Sequence, residues 1–435
     1  MQMFTELNEE TIKKVSELKG EPKWMLEFRL KSLKKFEELG MPKFGPKLDI
    51  DFSSINYYKK VGEKADNWEQ VNCSIRDRFK NLGVIDAENE YLDGVSNQYE
   101  SEVIYHKMED GLNDKGVIFL STDDALRFYP ELFFKYFNKL VKYDENKFTA
   151  LNGALWSGGS FIYIPPKVKL DRPLQSYFRI DSMALGQFER TIIIVDDEAE
   201  LSYIEGCTAM SYSVNSLHAG VVEIYVGKNA HVKYSTIQNW SKDVYNLVTK
   251  RAIVEEGGLM EWVDGNIGSG VTMKYPSCIL KGNNSKGNSI SIAYAKEGQV
   301  LDAGAKMIHI GKNTKSNIVS KSIAESGGIA NYRGQVKIGK GATNSEAHVR
   351  CDTIILDEIS KSDTYPLNIV SNNSSVLEHE ASVSKISEDK LFYLMSKGLS
   401  ENQAKELYIS GFISEFKNEL PMEYAVELNR LMSEI

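Results

Sequence analysis

The 435-residue sequence lacks most of the groupings that mark common metal-binding and hydrolytic proteins. Its four cysteines, Cys73, Cys207, Cys278 and Cys351, lie far apart and form no CxxC pair. A structural zinc site built from close cysteine pairs is therefore not expected, and in a reducing compartment neither are disulfides. Any thiol chemistry must come from single residues that folding brings together. The six histidines include no HExxH or HxH spacing, which argues against a hydrolytic zinc enzyme. A basic excess is missing too: 52 Lys and Arg against 61 Asp and Glu leave a net charge of −9. A general nucleic-acid binder needs the opposite sign on its surface. No run of 18 apolar residues occurs, so no membrane span is expected. The opening MQMFTELNEETIKK is acidic and amphipathic and has no signal-peptide core, which predicts a cytoplasmic protein.

What is present divides into three textures, read as an N-terminal helical and mixed domain (1–148), a β core (149–386) and a C-terminal helical domain (387–435). In the first, Asn8 or Thr11 can start a helix that Gly20 ends, and Glu21–Pro22 opens a second running to about Leu39. Residues 123–141, DDALRFYPELFFKYFNKLV, also read as helical. After about Thr149 short alternating strands punctuated by polar turns dominate for more than 200 residues. From Ser387 helical patterns return: Ser387 caps one helix that Gly398 stops, Ser400 with Gln403 forms a capping box, and Pro421 suits the first turn of a last helix.

The β region repeats. Val195, Ala199, Leu201 and Tyr203 align with Val226, Ala230, Val232 and Tyr234, and similar segments begin at Val254, Ile310 and Ile338. The intervals are 31, 28, 56 (twice 28) and 28, with the missing copy expected near 282, at LKGNNSKGN. Strands and turns at such a period point to a solenoid. A parallel β-helix with rungs of about 28 residues fits best, and the recurring GK pairs at 227, 311 and 339 are then turns rather than phosphate loops.

The segment VLEHEASVSKI (376–386) places His379 between two glutamates on a strand. Alternation puts Glu378 and Glu380 on one face and His379 on the other. Cys351 lies 28 residues before His379, so the repeat expects them at equivalent positions on adjacent rungs. A thiol and an imidazole stacked in this way, with carboxylates nearby, suit a thiophilic metal such as iron. Paired carboxylates in an open groove would instead suit a carbohydrate-active β-helix enzyme, and Glu378 with Glu380 is the close pair that fits a strand face.

The stretches FRIDSMALGQFERTIIIVDDEAELSYIEGCTA, VKYSTIQNW, MKYPSCIL, RCDTIIL, LEHEASVSKISEDKLFYLMSKGLS and EPKWMLEFRLKSLKKFEELGMPKFG closely resemble the SufB family, scaffold subunits of the SUF iron–sulfur cluster assembly machinery. The resemblance spans nearly the whole chain, and retention of Cys207, Cys351 and the EHE trio looks like SufB rather than its paralogue SufD. It implies a mainly β fold, a right-handed parallel β-helix with helical ends, in a non-enzymatic scaffold whose ATPase activity resides in a partner, SufC, bound through the C-terminal helices. It also implies pairing with SufD or a second SufB copy, a cysteine desulfurase or other sulfur donor, and apo-protein acceptors. By the same resemblance Cys207 accepts sulfur as a persulfide, and Arg179, Gln238, Trp240 and Lys250 line the path through the β-helix. Cys351 holds a transient iron–sulfur cluster with Glu378, His379 and Glu380 as ligand candidates, Cys351, His379 and Glu380 being the metal-binding set. Reduced flavin is a possible further cofactor.

Overall fold

A computed structural model describes residues 2–420 apart from 63, 66, 82–84, 86, 87, 89, 90 and 211–214. The helix expected to begin at Pro421 lies outside the described residues. The chain is mainly β, 41% strand against 23% helix, and forms a β-solenoid of about 8 turns with helices at both ends. Two long sheets face each other. The first has ten strands, and its rungs include Glu200–Ala209, His231–Asn239, Leu259–Asn266, Lys286–Ala295, Lys315–Ala324, Glu346–Ile355 and Val376–Lys385, paired in that order. The second has thirteen strands and contains Arg190–Val195, Val221–Val226, Val244–Val254 and Thr364–Val370.

The aligned repeat appears directly as parallel register. Leu201 lies beside Val232 and Tyr203 beside Tyr234, while Val195 lies beside Val226 and Val226 beside Val254. The copy expected near 282 is the turn leading into Lys286–Ala295. Rung length varies, however. Lys315 pairs with Glu346 and Glu346 with Val376, offsets of 31 (346−315) and 30 (376−346) rather than 28. Ile338 sits beside His309 rather than Ile310, which is left exposed in the turn.

Alternation supplies the core. Inward side chains of both sheets, among them Leu201, Val232, Ile193, Ile224 and Val349, fill one buried cluster. The outward faces are covered by the helical ends. Lys23–Glu38 and Lys147–Leu155 pack on each other, with Phe148, Leu151 and Leu155 buried against Leu217 and Leu247 of the second sheet. The first helix runs Glu9–Lys19, with Asn8 capping the Thr11 amide and Gly20 closing it at φ 64°. The single helical pattern over 123–141 is broken into Thr122–Phe128 and Pro130–Tyr136, because Pro130 disfavours helical geometry at Tyr129 and starts a new first turn.

At the C-terminus, Ser387 caps Glu388–Ser396 and Ser400 forms the expected capping box for Glu401–Phe412. Ile409, Ile413, Phe416 and Leu420 then lie against Ile237, Val263, Ile292, Ile323 and Ile354 on the outer face of the first sheet. Lys233 reaches Glu419 at 2.8 Å, Lys321 sits 4.8 Å over the Phe412 ring, and Arg350 pairs with Glu415. The short helix Ser414–Glu419 is thus fastened across several rungs.

Candidate functional site

Following the register along the first sheet gives neighbouring inward columns. One runs Glu205, Thr236, Asp264, Ser291, Ser320, Cys351 and Ala381. The next, two residues on in each strand, runs Cys207, Gln238, Asn266, Ala293, Ser322, Thr353 and Val383. A third, two residues back, holds Tyr203, Tyr234, Trp262 and, at its far end, Val349 and His379. Small polar side chains therefore connect the rung of Cys207 to that of Cys351, five ladder steps away, about 24 Å at a strand spacing of about 4.8 Å.

At the Cys207 end the interior is charged and sealed. Cys207 is 1% exposed and its thiol donates to Glu205 Oε1 at 3.9 Å. Lys250, from the opposite sheet, donates to the same oxygen at 3.1 Å, and the Tyr234 hydroxyl donates to Glu205 Oε2. Burial pushes the Cys207 thiol well up, and Glu205 and Glu189 add to it. Burial alone would also neutralise Glu205 and Lys250, but each holds the other charged: the Glu205 carboxyl lies below its ordinary range and the Lys250 ammonium above. Accepting sulfur as a persulfide calls for an accessible thiolate, and Cys207 does not present one here, because burial and the neighbouring carboxylates favour the protonated thiol.

Of the other residues expected on the path, Gln238 and Trp240 join Lys250 here, whereas Arg179, beside Thr208 on the strand face opposite to Cys207, does not. Gln238 is the direct neighbour of Cys207 on the next rung, and its Oε1 accepts from Asn246 at 2.6 Å. Trp240 packs in one buried cluster with Cys207 and Phe178, its ring 4.7 Å from that of His218. Arg179, one strand back beside Thr208, pairs with Asp181 at 2.9 Å. Among the described residues, Gln238 Nε2, Asn266 Oδ1 and Trp240 Nε1 are buried without a hydrogen-bond partner, so this interior keeps polar capacity that the fold does not consume.

Sequence reasoning missed Glu205, Glu189, His218, Asp264 and Lys274. His218 stands between Asn246 Oδ1 and Glu189 Oε1, both at 2.8 Å. Burial alone would lower its pKa, but Glu189 outweighs it and the shift is upward. Lys274 lies 3.2 Å from Asp264, and burial pushes its ammonium down to about 8. A signal was available: Glu205 shares the inward parity of Cys207, where a carboxylate is out of place without a partner.

At the Cys351 end the expectation of adjacent rungs and a shared face holds, but the positions are not equivalent. His379 sits beside Val349, and Cys351 beside Ala381, so the pair is diagonal. A two-residue slip preserves the face, and Cys351 Sγ lies 3.5 Å from His379 Nε2. His379 Nδ1 is 3.0 Å from Asn368 Nδ2. Burial lowers the His379 pKa and raises that of Cys351 to about 12.

Glu378 and Glu380 face the other way, as alternation requires. Glu378 lies 2.9 Å from His348 Nδ1, and Glu380 is the cross-strand neighbour of Arg350. Glu378 thus has an imidazole of the preceding rung as its partner, and Glu380 lies on the rung face that carries Arg350. Glu380 is therefore not assembled with Cys351 and His379 as a metal set, and no group of three His, Cys, Asp or Glu side chains that could hold a metal occurs among the described residues.

The rung that carries His379 is also an edge. Among the described residues, Val376–Lys385 pairs only with Glu346–Ile355, and Thr364–Val370 only with the strand Ile329–Ile338. Leu367 is 51% exposed and Val383 53%, both on these last strands. No helix of the described residues is long and apolar enough to cross a membrane.

Comparison with known proteins adds a family. Residues 178–412 match the family described as SUF system FeS cluster assembly, SufBD core domain, and residues 78–176 match the SufBD protein N-terminal region. A protein of Staphylococcus saprophyticus named as an iron-sulfur cluster assembly SufBD family protein is 57% identical over 428 residues, 98% of this chain and 92% of its own length. Proteins of the same name from Staphylococcus epidermidis and Staphylococcus aureus strain MRSA252 match to the same extent.

Proposed function

The chain belongs to the SufBD family of the SUF iron–sulfur cluster assembly system, and on that premise we propose that it is the SufB-like scaffold on which the cluster is built. Family membership displaces the alternative of a carbohydrate-active enzyme. The observation that carries the SufB-like reading is the pairing of the Cys351 thiol and the His379 imidazole, 3.5 Å apart, at the open end of a polar column that begins beside Cys207.

In this reading sulfur arrives from a persulfide donor such as a cysteine desulfurase. Cys207 is sealed in the closed chain, so loading requires its end of the interior to open to the donor. The Cys207 sulfur then attacks the terminal sulfur of the donor, a new S–S bond forms on Cys207, and the donor leaves as its thiolate. The Cys207 proton departs toward Glu205, 3.9 Å away. Lys250, Gln238 and Trp240 surround the loaded sulfur with donors and a closed apolar wall, while Arg179 lies on the outer face of its strand. The column Thr236, Asp264, Ser291 and Ser320 offers short polar side chains toward Cys351. There the neutral His379 nitrogen and the Cys351 sulfur, once a metal displaces its proton, supply two ligands for the nascent cluster, which is cargo. The remaining ligands come from iron-bound sulfide and from a second chain, SufD or another copy, seated on the unpaired edge. Phe392, Tyr393 and Leu407, exposed on the C-terminal helices, suit docking of the SufC ATPase. The chain itself is a scaffold, not an enzyme. Reduced flavin is a candidate source of the electrons that convert sulfane sulfur to sulfide, and apo-proteins take the finished cluster.

The test separates the two cysteines. Cys207→Ser should lose sulfane sulfur loading from the donor yet still form a cluster from free iron and sulfide. Cys351→Ser should accept sulfur but hold no cluster by either route, read by visible absorption. A normal cluster in Cys351→Ser overturns the assignment, and identical defects in both variants remove the relay.

A further inference from the structure

The second sheet carries a cleft on its outer side, lined in part by the strand segment 247–251 whose Lys250 also reaches Glu205 in the interior. Its roof is the connection after the second helix, residues 39–44, and its floor is formed by Leu247, Met273, Tyr275 and their neighbours. Its volume is about 360 Å³, within the range of about 300 to 1,000 Å³ typical of small-molecule sites. The roof is held down at Gly45, whose φ is 83°. A side chain there is disfavoured by conformation, and the Cβ position lies 2.6 Å from the flexible end of Met273. This close crossing sets Phe44, half exposed, with its ring 6.1 Å from that of Tyr275.

Three cations gather at this cleft against two carboxylates. Arg251 holds Glu145 through both oxygens, at 2.7 and 2.9 Å, and the Lys142 amide takes up Glu145 as well. Arg333 holds both oxygens of Asp302 at 3.1 Å, and the Tyr275 hydroxyl donates to Asp302 Oδ1 at 2.7 Å. Both carboxylates are therefore fully engaged. Lys306 makes no salt bridge among the described residues and shares the attraction of Glu145 with Arg251, its Nζ lying 5.3 Å from the Tyr275 ring and 5.9 Å from Phe44. Burial pushes its ammonium down, Arg251 adds to the effect and Glu145 opposes it. A partly desolvated cation whose one acidic neighbour is held by Arg251 is only partly offset by the rings beside it, and it retains attraction for a further anion.

We propose that this cleft is a binding site for a small organic anion bearing a planar ring, with the anionic group at Lys306 and the ring against Phe44 and the apolar floor. The charge excess selects an anion. The aromatic roof selects a ring, and the modest volume of the cleft suits a small molecule. The site is independent of the cluster-building reading and does not touch Cys207 or Cys351.

Isothermal titration of the full chain would use four probes: adenosine monophosphate and salicylate as ring-bearing anions, inorganic phosphate as an anion without a ring, and adenosine as a ring without charge. At least one ring-bearing anion is expected to bind about tenfold or more tighter than both controls. Lys306→Gln should remove that binding by about tenfold or more, and Phe44→Ala should reduce the preferred probe to the level of its control. Phe44 is half exposed, so its truncation leaves the core intact, and the melting temperature checks both variants. Neither ring-bearing anion binding at millimolar concentration overturns the proposal. So does phosphate binding as well as the ring-bearing anions, or an affinity that neither substitution changes.

Discussion

The two ends of the polar column differ in how completely the fold has finished them. Around Cys207 every charge has an opposite within the interior, Glu205 with Lys250 and Asp264 with Lys274, and the walls are closed by Trp240 and Phe178. Around Cys351 the last rungs present unpaired strand edges, exposed aliphatic side chains and a thiol 3.5 Å from an imidazole. The contrast separates what one chain can do alone from what it cannot. A reactive sulfur species needs exclusion of water, which a single solenoid interior supplies. A cluster needs several ligands at once, which an edge can gather only from outside.

That contrast can be broken experimentally. The largest effect is expected in thiol reactivity. With its pKa near 12, Cys351 should alkylate about tenfold faster with each pH unit between 7 and 10. Thiolate accumulates as pH rises toward the pKa, whereas an unperturbed thiol levels off above about pH 8.5. Mass spectrometry after iodoacetamide pulses reads this, and a plateau below pH 10 would mean that Cys351 is not shielded. Next in size, Lys250→Met strands the Glu205 charge in the interior and should cost about 3–5 kcal/mol in urea unfolding. Tyr234→Phe removes one donor from the same carboxylate and should cost about 1–3 kcal/mol. At the open end the numbers shrink. Arg350→Ala, which frees the half-exposed Glu415, should cost no more than about 1 kcal/mol. The smallest effect is expected for Val383→Lys, about 0.5 kcal/mol or less in the lone chain, because the side chain is already in solvent. If the two ends respond alike, the distinction between finished and unfinished ends fails.

The solenoid was readable because each rung repeats the same inward and outward alternation, and Val195, Leu201 and Tyr203 could be aligned with their successors on that basis. Rung length was less readable. Turns absorb extra residues without disturbing the strands, so a constant 28 placed His379 opposite Cys351 when its true neighbour is Val349. The error was harmless to the site because it was even: an odd slip would have sent His379 outward. The carboxylates show the reverse. Alternation already placed Glu378 and Glu380 on the far face from His379, yet their closeness in sequence suggested shared ligation, and the strand geometry separates them. The interior pairs Glu205–Lys250 and Asp264–Lys274 could not be read at all, since each joins residues of opposite sheets whose juxtaposition depends on how the turns close.

The short helix Ser414–Glu419 and the residues around it reach Lys233, Lys321 and Arg350, which sit on three different rungs, while Phe416 presses on Gly265 of another. A stack of rungs joined only to their neighbours can fray one layer at a time from its end. A splint lying along the stacking axis changes this: through Ile409, Ile413 and Phe416 it couples the outer faces of the rungs from Ile237 to Ile354, so that they loosen less independently. The rung that bears Cys351 is thereby tied to the middle of the stack, whereas the rung that bears His379 has a strand neighbour on one side only.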